Sequence, residues 1–324
     1  RGVRYARSLT GARRFLPPEP VAPRRGVVDA TRVGPAAPQY ALPYFRWISA
    51  AAVAPGSDCL SLNVWTPGLD GARRPVFVWI HGGGFMVGAG STPVYDGAAL
   101  ARRGDCVVVT LNYRLGALGF VHLKDVLGPG FEQSSNLGVR DQIAALEWIR
   151  ANVDRFGGDP GNVTVFGQSA GAMCIGALLG APSARPLFHR AICQSGAADH
   201  VLEPGAAAEV ARTFVEELGR TPRSPAALGR VPLGDVLRAQ RRAMTRLSDL
   251  RRMMVLLPTV DGDVIPEQPI EAVRRGDAKN VALLVGTTLE EWRLFRWIDP
   301  GPFALAEDAL AERFDQALQA SGGN

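Results

Sequence analysis

Between residues 75 and 286 short apolar runs alternate with longer amphipathic stretches. The runs Pro75–His81, Cys106–Asn112, Asn162–Gly167, Ala191–Ser195 and Val281–Gly286 are apolar at most positions, the pattern of strands buried on both faces. Asp141–Phe156 places Ile143, Leu146, Ile149 and Val153 near helical spacing, and Gly157-Gly158 stops it. Ala170–Gly180 reads as a second helix. Residues 200–260, rich in Ala and Arg, read as a helical insertion between the last two apolar runs. Residues 1–70 are rich in Pro and Gly, with short strand-like pieces such as Cys59–Trp65. Buried strands alternating with helices predict an α/β fold, a mainly parallel sheet with helices on both faces. No internal repeat, low-complexity segment or boundary marks a second domain, so residues 1–324 are expected to form one.

Composition narrows this picture little. The chain has 324 residues, enough for one large core, and 47% of them are hydrophobic. The net charge of +5 is carried by arginine, with Lys124 and Lys279 the only lysines. Basic pairs such as Arg13-Arg14 and Arg251-Arg252 are scattered and lack interleaved aromatics, which argues against a nucleic-acid face. No apolar stretch is long enough for a membrane span. Cys59, Cys106, Cys174 and Cys193 show no metal-binding spacing. Cys106 and Cys193 fall within apolar runs and read as buried hydrophobes.

The chemistry concentrates in Phe156-Gly-Gly-Asp-Pro-Gly-Asn-Val-Thr-Val-Phe-Gly-Gln-Ser169-Ala-Gly171. Here Gly-x-Ser-x-Gly stands between a strand and a helix. That setting strains the serine backbone and exposes its hydroxyl, as a nucleophile requires. The competing reading is a glycine-rich turn whose serine caps the helix. His81-Gly-Gly-Gly84 follows a strand, and its main-chain N–H groups suit an oxyanion. A phosphate loop fits less well, since Gly82-x-Gly84-x-x-Val87 lacks the third glycine of a dinucleotide fingerprint. Glu290-Glu291, after a late strand, stands where such folds place the acid that orients a histidine. Thr288-x-x-Glu291 is equally a capping box. Ser195, at the end of another strand, reads either as a hydrogen-bonding neighbour of the site or as a turn serine.

Together these segments resemble the type-B carboxylesterase family, the cholinesterases and the bacterial p-nitrobenzyl esterases among them. Arg14-Phe15 through Pro20, Asp58–Pro67, Asn112–Gly116, Asn136–Gln142 and Phe156–Gly171 follow its motifs in order. The resemblance implies an α/β-hydrolase fold, hydrolysis of small carboxylic esters by serine acyl-enzyme chemistry, and no cofactor or metal. Ser169 would be the nucleophile and Glu291 the triad acid. Gly83, Gly84 and Ala170 would supply the oxyanion N–H groups. Gln168, Ser195 and His200 would lie at or near the pocket, with residues 200–260 over the active-site side. Arg114 and Asp159 would form an ion pair behind the site.

The departures from the pattern carry information. Ser57 replaces a family Glu, so Arg14 loses an ion-pair partner. Ala37 replaces the Cys found in many animal members, which leaves Cys59 without its disulfide partner and favours a bacterial-type, cytoplasmic member. A chain beginning at Arg1 leaves secretion open. Gln168 replaces a frequent Glu, which disfavours cationic choline esters. His81, His122, His189 and His200 all stand away from the family's histidine position, so the catalytic histidine is expected to be missing together with C-terminal strands and a helix, and upstream residues also. Without a base the chain as written would hydrolyse esters poorly. The alternative is a non-catalytic, cholinesterase-like binding or adhesion module.

Overall fold

A computed structural model describes residues 1–23, 25–40, 53–247, 254–298 and 306–320. Its contacts divide the chain into Arg1–Gly286 and Thr287–Asn324.

The first unit is built on a seven-stranded sheet. Its strands are β1 (Val3–Arg4), β2 (Ser61–Trp65), β3 (Arg74–Ile80), β4 (Val107–Leu111), β5 (Gly158–Gln168), β6 (Arg190–Gln194) and β7 (Ala282–Gly286). They lie in the order β1-β2-β4-β3-β5-β6-β7. The β1/β2 and β2/β4 pairs are antiparallel, and the other four are parallel. The helices of this unit are α1 (Ala98–Gly104), α2 (Gly116–Phe120), α3 (Lys124–Leu127), α4 (Leu137–Asn152), α5 (Ala170–Gly180), α6 (Pro204–Leu218), α7 (Pro225–Gly229), α8 (Leu233–Leu247) and α9 (Pro269–Arg274). The expected strands and the helices of 141–156 and 170–180 are therefore present. The first of these helices starts earlier, at Leu137, because Asn136 takes a left-handed conformation ahead of it. The helical expectation for residues 200–260 holds for α6, α7 and α8, whereas Met254–Val260 is not helical and residues 248–253 lie outside the described residues.

One face of the sheet is closed. Val76, Val78 and Ile80 of β3, Val163 and Val165 of β5, and Ala191 and Cys193 of β6 are all buried beneath α4 and α5. Trp79, Phe166, Ile192 and Leu284 form one register row on the other face and are half-buried to exposed. The expectation that Val281–Gly286 is a buried strand is corrected here. Every residue of β7 is exposed, Leu284 by 63%, because the strand stands last in the sheet order. An apolar strand pattern reports the wish for burial and not its fulfilment.

All four cysteines are free and buried, and burial pushes the Cys59 and Cys174 thiols up to about 12. The second unit carries α10 (Arg293–Ile298) and α11 (Glu307–Ala320). Among the described residues no helix is long and apolar enough to cross a membrane, and no metal-binding cluster occurs.

Candidate active site

The strand β5 ends at Gln168 and α5 begins at Ala170, so a single residue makes the turn between them. That residue, Ser169, sits at φ 54° and ψ −126°, a region that side chains other than glycine's rarely enter. Its hydroxyl makes no capping hydrogen bond to α5, which removes the helix-cap reading. The strained backbone is held from both sides. The Ser169 N–H donates to Gln194 O at 2.9 Å, and Ser169 O accepts the Met173 N–H at 2.9 Å.

The glycine loop passes directly beside this turn. A Cβ on Gly82 would lie 2.6 Å from Gln168 O and 3.4 Å from Ser169 Cβ. One on Gly171 would lie 2.1 Å from Ile80 O. Strand β3, its loop and the serine turn thus approach at a distance only glycine permits. Gly83 and Gly84 follow with φ of 114° and 60° and remain partly exposed, as does Ser169. Ala170, fully buried, opens α5, where unpaired N–H groups and the helix dipole favour negative charge.

His81 fixes the root of the loop. Its ring is buried against Tyr113 at a centroid distance of 4.5 Å, and Tyr113 donates to His81 O at 2.7 Å. His81 Nδ1–H donates to Gly82 O at 2.8 Å, which leaves Nε2 as the basic nitrogen of the neutral ring. Desolvation lowers the His81 pKa from 6.5 to about 4, opposed by the Gly82 hydrogen bond. Unfolding restores the ordinary value. Between pH 6.5 and 4 the unfolded chain therefore binds a proton that the folded one refuses, and stability falls as pH falls through that window. The loss is expected to reach about 3 kcal/mol at its acid end. Urea-unfolding free energies of wild type and His81→Gln across this range check it, the variant giving the shallower profile.

Ser195 repeats the serine turn one strand away. It follows Gln194, the register partner of Gln168, and has φ 54°. Its N–H donates to Gly286 O at 2.8 Å. The next residue touches the nucleophile turn, since a Cβ on Gly196 would lie 2.8 Å from Ser169 O. Gln168 is exposed, with its amide oxygen beside Gly82. His200 is half-buried, its Nδ1 2.6 Å from Asp199 Oδ1. Glu291 belongs to the second unit, where its Oε1 accepts the Thr288 N–H at 2.7 Å, the contact a capping box would make. Ser169, the glycine loop, Ala170, Gln168 and the Ser195-Gly196 turn are thus brought together in one unit.

The other histidines are engaged elsewhere. His189 Nδ1 accepts the Val163 N–H at 3.2 Å. His122 Nδ1 lies 2.6 Å from Ser135 Oγ and its Nε2 2.9 Å from Asp125, a serine–histidine–aspartate set that sequence reading did not find. Ser135 is fully buried and His122 nearly so, which closes this set to a substrate. Among the described residues none of the four histidines hydrogen-bonds Ser169.

The expected Arg114–Asp159 ion pair is not formed. Arg114 pairs with Asp141 in a two-pronged contact, Nη2 to Oδ1 at 2.6 Å and Nε to Oδ2 at 2.8 Å, both side chains buried. Asp159 pairs instead with the exposed Arg73 at 2.8 Å. Asp141 wins because it stands in the first turns of α4, where it also accepts the Arg114 main-chain N–H at 3.0 Å. Arg14, lacking an acidic partner at Ser57, donates to Val231 O at 2.7 Å.

A model of the carboxylesterase family matches residues 1–320. The chain is 42% identical over 301 residues to the para-nitrobenzyl esterase of Bacillus subtilis, covering 91% of this chain and 59% of that protein. The chain belongs to the carboxylesterase family. Another relative, the phenmedipham hydrolase of Pseudarthrobacter oxydans, is 39% identical over 98% of this chain and 60% of its own length. The carboxylesterase fold is matched in three dimensions by a Geobacillus stearothermophilus carboxylesterase, with a TM-score of 0.86 at 42% identity, covering 98% of this chain and 63% of that one. The mainly parallel sheet, with α4 and α5 on one face and Ala101 of α1 packed with Val108 and Phe77 on the other, is accordingly an α/β-hydrolase core. The chain spans about three fifths of the length of these carboxylesterase relatives.

Proposed function

We propose that the protein hydrolyses small, uncharged carboxylic esters through an acyl-enzyme on Ser169. The observation that carries this reading is the strained, uncapped Ser169 set against the glycine loop. Ser169 Oγ attacks the ester carbonyl as its proton passes to a base. The carbonyl oxygen becomes an anion that the N–H groups of Gly83, Gly84 and Ala170 receive, each worth about 3 kcal/mol in a dry site. The ester C–O bond breaks, the alcohol leaves with the proton, and water releases the acid by the reverse sequence. Glu291 is the proposed acid that orients the base. Gln168 adds no anion beside Ser169, which fits a neutral alcohol group.

Since none of the four histidines hydrogen-bonds Ser169 among the described residues, hydrolysis of p-nitrophenyl butyrate by this 324-residue chain is expected to be slow. Added imidazole is expected to raise the rate about tenfold or more above its effect on buffer alone, within the range general-base catalysis supplies. Fast turnover without imidazole that His200→Ala abolishes would instead make His200 the base. No Ser169-dependent rate under either condition would remove the esterase reading.

A further inference from the structure

The insertion helix α8 reaches back to the glycine loop through one side chain. Gln240 is 3% exposed. Its Oε1 accepts the Ala117 N–H at 2.8 Å, and its Nε2 donates to Met86 Sδ at 3.8 Å, within reach of a sulfur acceptor. The Gly116 N–H, one residue before Ala117, donates to Phe85 O at 2.7 Å. The three contacts close a ring through Phe85-Met86, Gly116-Ala117 and Gln240. Gly116 has φ 57°, and a Cβ there would lie 2.2 Å from Gln240 Oε1, so this turn leaves room for the amide. A buried amide costs free energy unless both its ends are used, and here both are.

The ring ends on the oxyanion loop. The N–H groups of Met86 and Val87 both donate to Gly83 O, at 3.0 and 3.1 Å. A shift of Met86 therefore moves the Gly83 peptide. Phe85 sits at φ 62°, a conformation costing about 1–3 kcal/mol that persists only where its surroundings impose it. The far end of the loop has its own clamp. Gln39 Nε2 donates to Gly88 O and Gln39 Oε1 accepts the Gly88 N–H, both at 2.9 Å.

We propose that Gln240 is a positioning residue that locks the oxyanion loop, so that the Gly83 and Gly84 N–H groups are aimed before an ester arrives. The helical insertion would thereby set the pre-organisation of the site on which oxyanion stabilisation depends. This inference rests on the ester-hydrolase reading above.

Two measurements on the 324-residue chain test it. Hydrogen–deuterium exchange reports the amides of Gly83–Val87. The dissociation constant of phenylboronic acid reports the site, because its tetrahedral adduct on a serine places an oxygen where the oxyanion forms. Gln240→Leu is expected to keep the wild-type circular dichroism, to exchange these amides about tenfold faster and to bind the boronate about tenfold more weakly. Gln240→Glu, which retains the acceptor for Ala117, is expected to recover much of both. Unchanged exchange in folded Gln240→Leu would overturn the proposal. If that variant does not fold, Met86→Leu, which removes only the sulfur acceptor, is expected to speed exchange about threefold, and wild-type exchange there would overturn it. A wild-type chain that binds no boronate would count against the ester-hydrolase reading, while the exchange rates still decide the role of Gln240.

Discussion

Replacing Ser169 with glycine is expected to make the protein more stable and to end its hydrolysis of p-nitrophenyl butyrate, with or without imidazole. At φ 54° and ψ −126° a serine carries strain of about 1–3 kcal/mol. Glycine enters that region freely but loses more chain entropy on folding, which takes back about 0.5–1 kcal/mol. The net gain is expected to be about 1 kcal/mol. No hydrogen bond from the serine hydroxyl to the helix offsets the strain, so glycine forfeits no cap. Ser169→Ala is expected to lose the same activity without the gain, because alanine keeps the Cβ that makes the conformation costly. Urea midpoints of the three proteins, with their rates, decide the matter. A Ser169→Gly protein less stable than wild type would mean that the turn is not strained. Residual Ser169-independent turnover would mean that the nucleophile lies elsewhere.

This trade is the reason the serine was legible in the sequence at all. A rigid strand–turn–helix joint demands glycines at Gly167 and Gly171, and a serine between them in a position suited to glycine is locally unfavourable. The strands were legible for a related reason, since runs such as Val107–Leu111 are buried throughout and apolar at every position but Thr110. Less was legible wherever two distant residues had to choose each other. The resemblance paired Arg114 with Asp159, and nothing in the spacing points to Asp141 instead. The decision comes from the start of α4, which turns Asp141 toward both the guanidinium and the main-chain N–H of Arg114. Gln39 and Gln240 carry no motif, and only folding brings them to either end of the glycine loop.

The Arg114–Asp141 pair carries the other large expected effect. Arg114 is 1% exposed and all three of its guanidinium nitrogens donate inward, Nη1 to Leu16 O at 2.7 Å and to Arg14 O at 3.2 Å besides the contacts of Nε and Nη2 with Asp141. The pair therefore ties α4 to residues 14–16 and to the turn before α2. Burial pushes the Asp141 carboxyl up, while the guanidinium and the main-chain N–H draw it back down. Asp141→Ala would leave the guanidinium buried without a counter-charge, and the expected loss is about 3–5 kcal/mol. The size of that loss measures the stranded cation more than the bond. Replacing both residues, Arg114→Met with Asp141→Leu, removes the stranded charge; the Arg114 N–H loses its acceptor, as it does in Asp141→Ala, and the part-buried Arg14 and Leu16 carbonyls lose their donor, at about 1 kcal/mol each where water reaches them. The double variant is therefore expected to be more stable than Asp141→Ala alone, although it carries more changes. Urea unfolding of the single and double variants tests this ordering. A double variant less stable than Asp141→Ala would show that the pair itself, rather than the absence of a lone buried charge, holds α4 against the N-terminal segment.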